Sequence, residues 1–289
     1  MDSNTIGQMH EILWSRGRDF CVEVLSRSDL QQLARAALAK CDRLQQRKSP
    51  LQPMLVLWTV LSMTLFRAKS IPNVLATLLA ALRGVLPELS LKPVTDGAIA
   101  HARWTLGVAP LVELFRRFSE RVDPKPSFHG LRVWLIDGVS MTLPDTPKNE
   151  RAFGRPVASR GSSAFPQVSM VALMDATTRM FRAVSVMPIR FAAAEQRRAA
   201  RLLKHLGPRD LLALDRRYYS VWFLRELLQQ KIHFLVRVPA HAKPKIIRKL
   251  GKGDYLVSIQ APVLLPSRQV RINARGRRTT HETVTLTVL

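Results

Sequence analysis

LRVWLIDG, residues 131–138, is an apolar run that closes on an acid and a glycine. Leu131 to Ile136 reads as a short buried strand ending at Asp137, because such a run is too brief for a helix and is rich in residues that pack well on a pleated surface. Working outward, Val168–Leu173 and Met180–Val186 are two more runs of this kind. They are separated by Asp175-Ala176-Thr177-Thr178-Arg179, a hairpin-turn composition. Residues 193–206, AAEQRRAARLLKHL, read as a basic helix. Leu211–Leu214 is a fourth buried strand, and it too ends at an aspartate, Asp215. A helix over Tyr219–Gln230 and a fifth strand over Ile232–Val238 complete the pattern.

Three sequential strands followed by alternating helices and strands is the order of an RNase H-like mixed α/β sheet with flanking helices. Residues 1–125 have a different periodicity and read as an all-helical domain. Ser28-Asp29-Leu30-Gln31 has the form of a capping box ahead of QQLARAALAKCDRLQQ. Pro53 and Pro72 stand near the first turns of two further helices. Thr95 opens a helix that stops at Gly107, and Leu111, Leu114, Phe115 and Phe118 recur at helical spacing beyond it. This last pair of helices permits a helix-turn-helix reading, with Arg103, Arg116 and Arg117 able to meet phosphates; two packed helices of a helical domain is the reading favoured here. The polar, proline-containing VDPKPSF, residues 122–128, marks a boundary. The core then spans 128–240, and 241–289 is a basic, β-rich segment in which Val284, Leu286 and Val288 alternate with Thr285 and Thr287.

Charge points to a partner. The chain carries 45 Lys and Arg against 21 Asp and Glu, a net of +24. From Arg216 onward there are fifteen basic residues and three acids, so this quarter of the chain holds half the net charge. Self-repulsion on that scale fits a polyanion such as nucleic acid. Two cysteines, Cys21 and Cys41, without metal-ligand spacing argue against a disulfide framework and fit a reducing cytoplasm. The N-terminus lacks signal-peptide order, and the apolar run Leu51–Phe66 is broken by Gln52, Pro53, Thr59, Ser62 and Thr64, so a buried helix is expected and no membrane span. The histidines and cysteines form no zinc pattern, and no phosphate-cradling GxxxxGK[ST] loop occurs.

Asp137 and Asp215 stand at the ends of the first and fourth strands, which are neighbours in such a sheet. Alone, an aspartate after a strand is ordinarily a turn former. Two brought together repel unless a divalent cation lies between them, and Mg²⁺ takes oxygen ligands while keeping some of its waters. Two such ions suit in-line phosphoryl displacement.

The stretch 131–165, LRVWLIDGVSMTLPDTPKNERAFGRPVASRGSSAF, resembles the first catalytic segment of DDE transposases of the insertion-sequence-4 group, with its Asp-Gly, Pro-Asp-Thr-Pro and Phe-Gly-Arg-Pro. LLALDRRYYS, 211–220, resembles their second segment, and TDGAIAHARWTLGVAPLVELF their N-terminal domain. The resemblance implies that Asp137 and Asp215 are the first two catalytic, metal-binding acids, that Mg²⁺ or Mn²⁺ is the cofactor, and that the partner is DNA, both transposon ends and target. It also implies a homodimer in an active parent and a DNA-associated location in a bacterial cytoplasm. Asp145 is read as a turn former, and Phe153-Gly154-Arg155-Pro156 as a loop near the DNA. Arg155, Arg160, Arg216, Arg217, Lys243, Lys245, Arg248 and Lys249 are the candidate DNA contacts.

Three departures from that pattern stand out. Arg217 replaces the usual glycine, at an expected cost of about 1 kcal/mol if the turn needs positive φ. Ser169 stands where an arginine is expected. The third acid, a glutamate on a helix after the β-rich insertion, has no counterpart: Glu226 reads as a helix-face residue, Asp254 as part of a turn and Glu282 as the start of a strand. The chain is therefore expected to be truncated and impaired in catalysis, the alternative being a non-catalytic DNA-binding fragment that competes for transposon ends. Tyr218, Tyr219, Trp222 and Phe223 could stack on a base, but a buried helix face is favoured.

Overall fold

The computed structural model describes residues 27–44, 50–82, 94–121, 123–158, 161–189, 195–239, 242, 244–252, 254–264, 271–272, 278–279 and 281–288. The chain divides into two compact units, Met1–Arg121 and Val122–Leu289.

The described residues of the first unit form five helices: α1 (Ser28–Lys40), α2 (Pro53–Ser62), α3 (Ile71–Leu82), α4 (Asp96–Leu106) and α5 (Ala109–Ser119). Their apolar faces meet in one core of Leu33, Ala37 and Leu38, Leu55, Leu57 and Trp58, Val74 and Leu78, Ile99, Leu106 and Leu114. The apolar run at 51–66 is thus a core helix, as expected. Thr59 is tolerated inside it because its hydroxyl donates to the Leu55 carbonyl at 2.7 Å. No helix among the described residues is long and apolar enough to cross a membrane.

The helix starts are only partly as read from sequence. The expected capping box is absent: Arg27, not Ser28, is the N-cap of α1, and it makes no side-chain cap. The reason is the helix start, since Ser28 is already helical and so cannot serve as the N-cap that the motif requires; Asp29 is engaged by the Arg27 guanidinium at 3.1 and 3.2 Å. Thr95 does cap α4, accepting from the Ala98 N–H at 3.3 Å, and Gly107 ends it at φ 68°. Thr95→Ala is expected to cost about 1 kcal/mol, read as a lowered urea midpoint at unchanged slope. On α5, Arg116 and Arg117 both grip Glu113, whose carboxyl they hold down at about 2.

The second unit opens with β1 (Arg132–Thr142), α6 (Pro147–Phe153), a small ribbon of β2 (Val157–Ala158) and β3 (Gly161–Ser162), then β4 (Gln167–Asp175) and β5 (Phe181–Pro188). It continues through α7 (Glu195–Leu202), β6 (Asp210–Leu214), a 3₁₀ turn (Arg216–Tyr218), α8 (Val221–Gln229) and β7 (His233–Val236). Five of these strands make one mixed sheet in the order β5-β4-β1-β6-β7. β4 alone runs opposite to the rest: it is antiparallel to β1 on one side and to β5 on the other, whereas β6 and β7 are parallel to β1. Asp175 is fully buried at the β4–β5 hairpin, where it accepts from the Thr178 N–H at 2.8 Å while Arg179 takes φ 59°. The last segment adds β8 (Lys245–Gly251), β9 (Asp254–Leu264), β10 (Arg271–Ile272), β11 (Arg278–Thr279) and β12 (His281–Val288), with a separate antiparallel sheet in the order β12-β9-β8.

One face of the main sheet is the core. Trp134 and Ile136 of β1, Val171 and Leu173 of β4, and Leu212 and Leu214 of β6 pack with Ala199 and Leu202 of α7 and with Phe223, Leu224 and Leu227 of α8. Alternation along the strands sends the intervening residues to the other face. There, Leu135, Val139, Met141, Val184, Val186 and Leu235 are exposed. At the end of the sheet where β6 begins, Asp210 is fully buried and accepts both Arg132 donors, at 2.7 and 2.8 Å, together with the Trp134 indole N–H at 2.8 Å and the Gly207 N–H at 2.7 Å.

Candidate active site

β1 is longer than expected. The sequence suggests a strand ending at Asp137, but pairing with β4 continues from Gly138↔Val171 to Thr142↔Gln167, so Asp137 lies in mid-strand. Only β6 stops here. The parallel register of β1 and β6 runs from Arg132↔Asp210 to Ile136↔Leu214, and the next residues along are Asp137 and Asp215. The two aspartates are thus brought to equivalent places on neighbouring strands, whose axes lie about 4.8 Å apart.

Both carboxylates leave the core face. Ile136 and Leu214 are buried in it, Asp137 is exposed, and the extended backbone of Asp215 (φ −71°, ψ 159°) carries the alternation on to an exposed side chain. Each accepts the backbone N–H of the next residue: Gly138 donates to Asp137 Oδ1 at 2.7 Å and Arg216 to Asp215 Oδ1 at 2.5 Å. Each retains its second oxygen for another partner. The pair therefore fits part of the oxygen shell of a hydrated divalent cation. No group of three or more His, Cys, Asp or Glu side chains that could hold a metal occurs among the described residues.

The turn after Asp215 holds a carboxylate that sequence reasoning passed over. Glu195, at the start of α7, is only 6% exposed. Its Oε1 accepts from the Tyr218 hydroxyl at 2.7 Å, and its Oε2 pairs with Arg217 Nη2 at 3.1 Å. Burial, then the bond to Glu195 and the charges of Glu195 and Asp137, push the Tyr218 phenol far above its ordinary value, so it remains the donor. Glu195 is the one acid between Asp175 and Asp210 in the sequence, set among arginines, and that isolation was the available signal.

Arg217 does not strain the turn as anticipated. It belongs to a 3₁₀ turn and is absent from the positive-φ residues, so no glycine is needed. Ser169 is buried in β4 opposite Ser140, where an arginine would have to be desolvated. Tyr218 and Phe223 are fully buried while Trp222 is 41% exposed, so this aromatic group is chiefly core. Glu226 is half-buried on α8. The side chain of Asp254, and that of Glu282, fall outside the described residues.

The candidate DNA contacts divide by environment. The Arg155 side chain is half-buried: it donates to Glu150 at 2.9 Å, to Asp145 at 2.6 Å and to the Ala164 carbonyl. Asp145, just before α6, and Glu150, within it, outcompete solvent for the guanidinium, and Asp145 is one arm of that clasp. Arg216 is exposed beside Asp215, and Lys245, Arg248 and Lys249 are exposed along β8, an edge strand. Arg160 and Lys243 lie outside the described residues.

Residues 21–116 match the family described as insertion element 4 transposase N-terminal, and residues 128–287 match the transposase DDE domain. The chain is 29% identical over 249 residues to transposase InsG for insertion sequence element IS4 of Escherichia coli (strain K12), an alignment covering 84% of this chain and 54% of that protein. The chain thus spans about half the length of that relative. Among solved structures it is similar, at 12% identity and a TM-score of 0.34, to a piggyBac transposase synaptic complex with hairpin DNA, over 78% of this chain and 52% of that one. With both its helical and its α/β unit matched in order, the chain belongs to the IS4 family of DDE transposases.

Proposed function

We propose that this chain acts on DNA in transposition, with Asp137 and Asp215 as joint ligands of a divalent cation, Mg²⁺ or Mn²⁺. Domains of this family generally use a divalent metal. Such an ion supplies Lewis acidity at a phosphate and lowers the pKa of a coordinated oxygen nucleophile. The protein's own residues do the rest. Asp137 presents its carboxylate from the middle of β1 and Asp215 from the turn just past β6, and the exposed cations Arg216, Lys245, Arg248 and Lys249 hold the sugar–phosphate backbone. Within this reading, strand cleavage by water precedes attack of the freed 3′-hydroxyl on target DNA, in a homodimer bound to the DNA in the bacterial cytoplasm. The observation that carries it is the parallel register of β1 and β6, whose last pair, Ile136↔Leu214, is followed directly by the two aspartates.

A second reading, a DNA-binding chain without catalysis, is favoured by the exposed cations Arg216, Lys245, Arg248 and Lys249, which can hold a phosphate backbone without any metal. Incubating the protein with DNA bearing the element's ends and Mn²⁺ separates the two. Cleavage that disappears in Asp137→Ala, with salt-sensitive gel-shift affinity retained, supports the first. Salt-sensitive binding without cleavage supports the second. Binding that ignores salt would overturn both.

A further inference from the structure

We propose that Glu195 is a positioning residue that locks the turn carrying Asp215 against the strand carrying Asp137. The proposal rests on the reading of those aspartates as a joint site and adds to it a third acid with a different task.

The geometry ties three segments together. Glu195 reaches the Asp215 turn twice, through the Tyr218 hydroxyl at 2.7 Å and the Arg217 guanidinium at 3.1 Å. Its neighbour Gln196 holds the same turn by its backbone, donating to the Arg217 carbonyl at 2.6 Å. On the β1 side, the Glu195 carboxylate lies directly over Gly138, the residue after Asp137. A Cβ built there would sit 2.5 Å from Oε1 and 2.7 Å from the carboxyl carbon. The start of α7 is therefore wedged between the two aspartate-bearing segments.

A mere packing role explains this poorly. Burying a carboxylate is costly, and an apolar residue would fill the space without the desolvation penalty. An acid in the first turn of a helix is ordinarily an exposed partner of the helix dipole. Glu195 instead is buried and spends both oxygens on residues two and three places after Asp215. Asp215 itself stands beyond the last paired residue of β6, so the sheet alone does not orient it. Ligand oxygens need placement to within about 0.5 Å, and the brace supplies that restraint.

The test uses the full chain, with Mn²⁺ alone as the probe in calorimetric titration and amide hydrogen exchange as an independent readout. Glu195→Ala is expected to raise exchange selectively at residues 216–219, leave strand amides at 211–214 protected, and weaken Mn²⁺ binding about tenfold. Glu195→Gln keeps an acceptor for Tyr218 and should recover part of both; it also replaces the alanine variant if that fails to fold. Unchanged exchange at 216–219 in both variants overturns the proposal. So does loss of protection spread evenly through the sheet, which marks a structural role only. An unmodified chain that binds no Mn²⁺ overturns the joint-site reading, and the selective exchange change then decides the brace by itself.

Discussion

Asp210→Ala is expected to destabilise the second unit by about 3 kcal/mol, seen as a fall of about 6–12 °C in its unfolding midpoint. Asp210 is fully buried, and its two oxygens accept four bonds, from both Arg132 donors, the Trp134 indole and the Gly207 N–H. These partners come from β1, from β1 again and from the loop before β6, so one carboxylate fixes the start of the β1–β6 register on which the placement of Asp137 and Asp215 depends. Alanine would leave the buried indole N–H and the guanidinium without their acceptor, and an unmet buried donor costs more than the bond it loses. The Arg132 side chain is 32% exposed and recovers some hydration, which keeps the expected loss at the low end of the range for broken buried pairs. Asp210→Asn, which retains an acceptor for Trp134, should lose distinctly less. A midpoint unchanged in the alanine variant would show that the Asp210 cluster contributes nothing net.

Gly138→Ala carries the second large expectation, a loss of about 2–3 kcal/mol. Glycine is needed here for space and not for its backbone freedom, since Gly138 is not among the positive-φ residues. The added methyl would lie 2.5 Å from Glu195 Oε1, and something must move. A free glutamate would swing aside at little cost. This one is held by Tyr218 and Arg217, so moving it breaks a buried hydrogen bond to a charged group and an ion pair. The double variant Gly138→Ala with Glu195→Ala removes the clash, and its destabilisation should be smaller than the sum of the two single losses by about 1 kcal/mol or more. Strict additivity in denaturant unfolding would show that the two residues do not touch.

The elements of the core were legible because hydrophobic periodicity is a local property. The runs at 131–136, 168–173, 180–186 and 211–214 fall on β1, β4, β5 and β6, and the basic stretch before the last of them holds the helix Glu195–Leu202. Their order along the chain also marked Asp137 and Asp215 as neighbours. The capping box at Ser28 was misread because the helix begins with Ser28 already inside it, one residue earlier than the motif requires, so the N-cap falls on Arg27. The ion pairs of Arg155 were not legible because its partners, Asp145 and Glu150, are ten and five residues away and meet it only when the segment around α6 folds.

By itself the sequence determined where apolar side chains must be hidden, hence the strands, the helical first unit and the acid that follows the buried run of each of two strands. It also set the excess of positive charge. Only the tertiary structure decided that β1 runs on past Asp137, since a strand's length depends on how far its partner β4 continues to offer N–H and C=O groups. Only the tertiary structure brought Glu195 over Gly138 and onto the Asp215 turn, because that contact joins residues 57 and 23 places apart, and no local pattern encodes which distant carboxylate a buried phenol will meet.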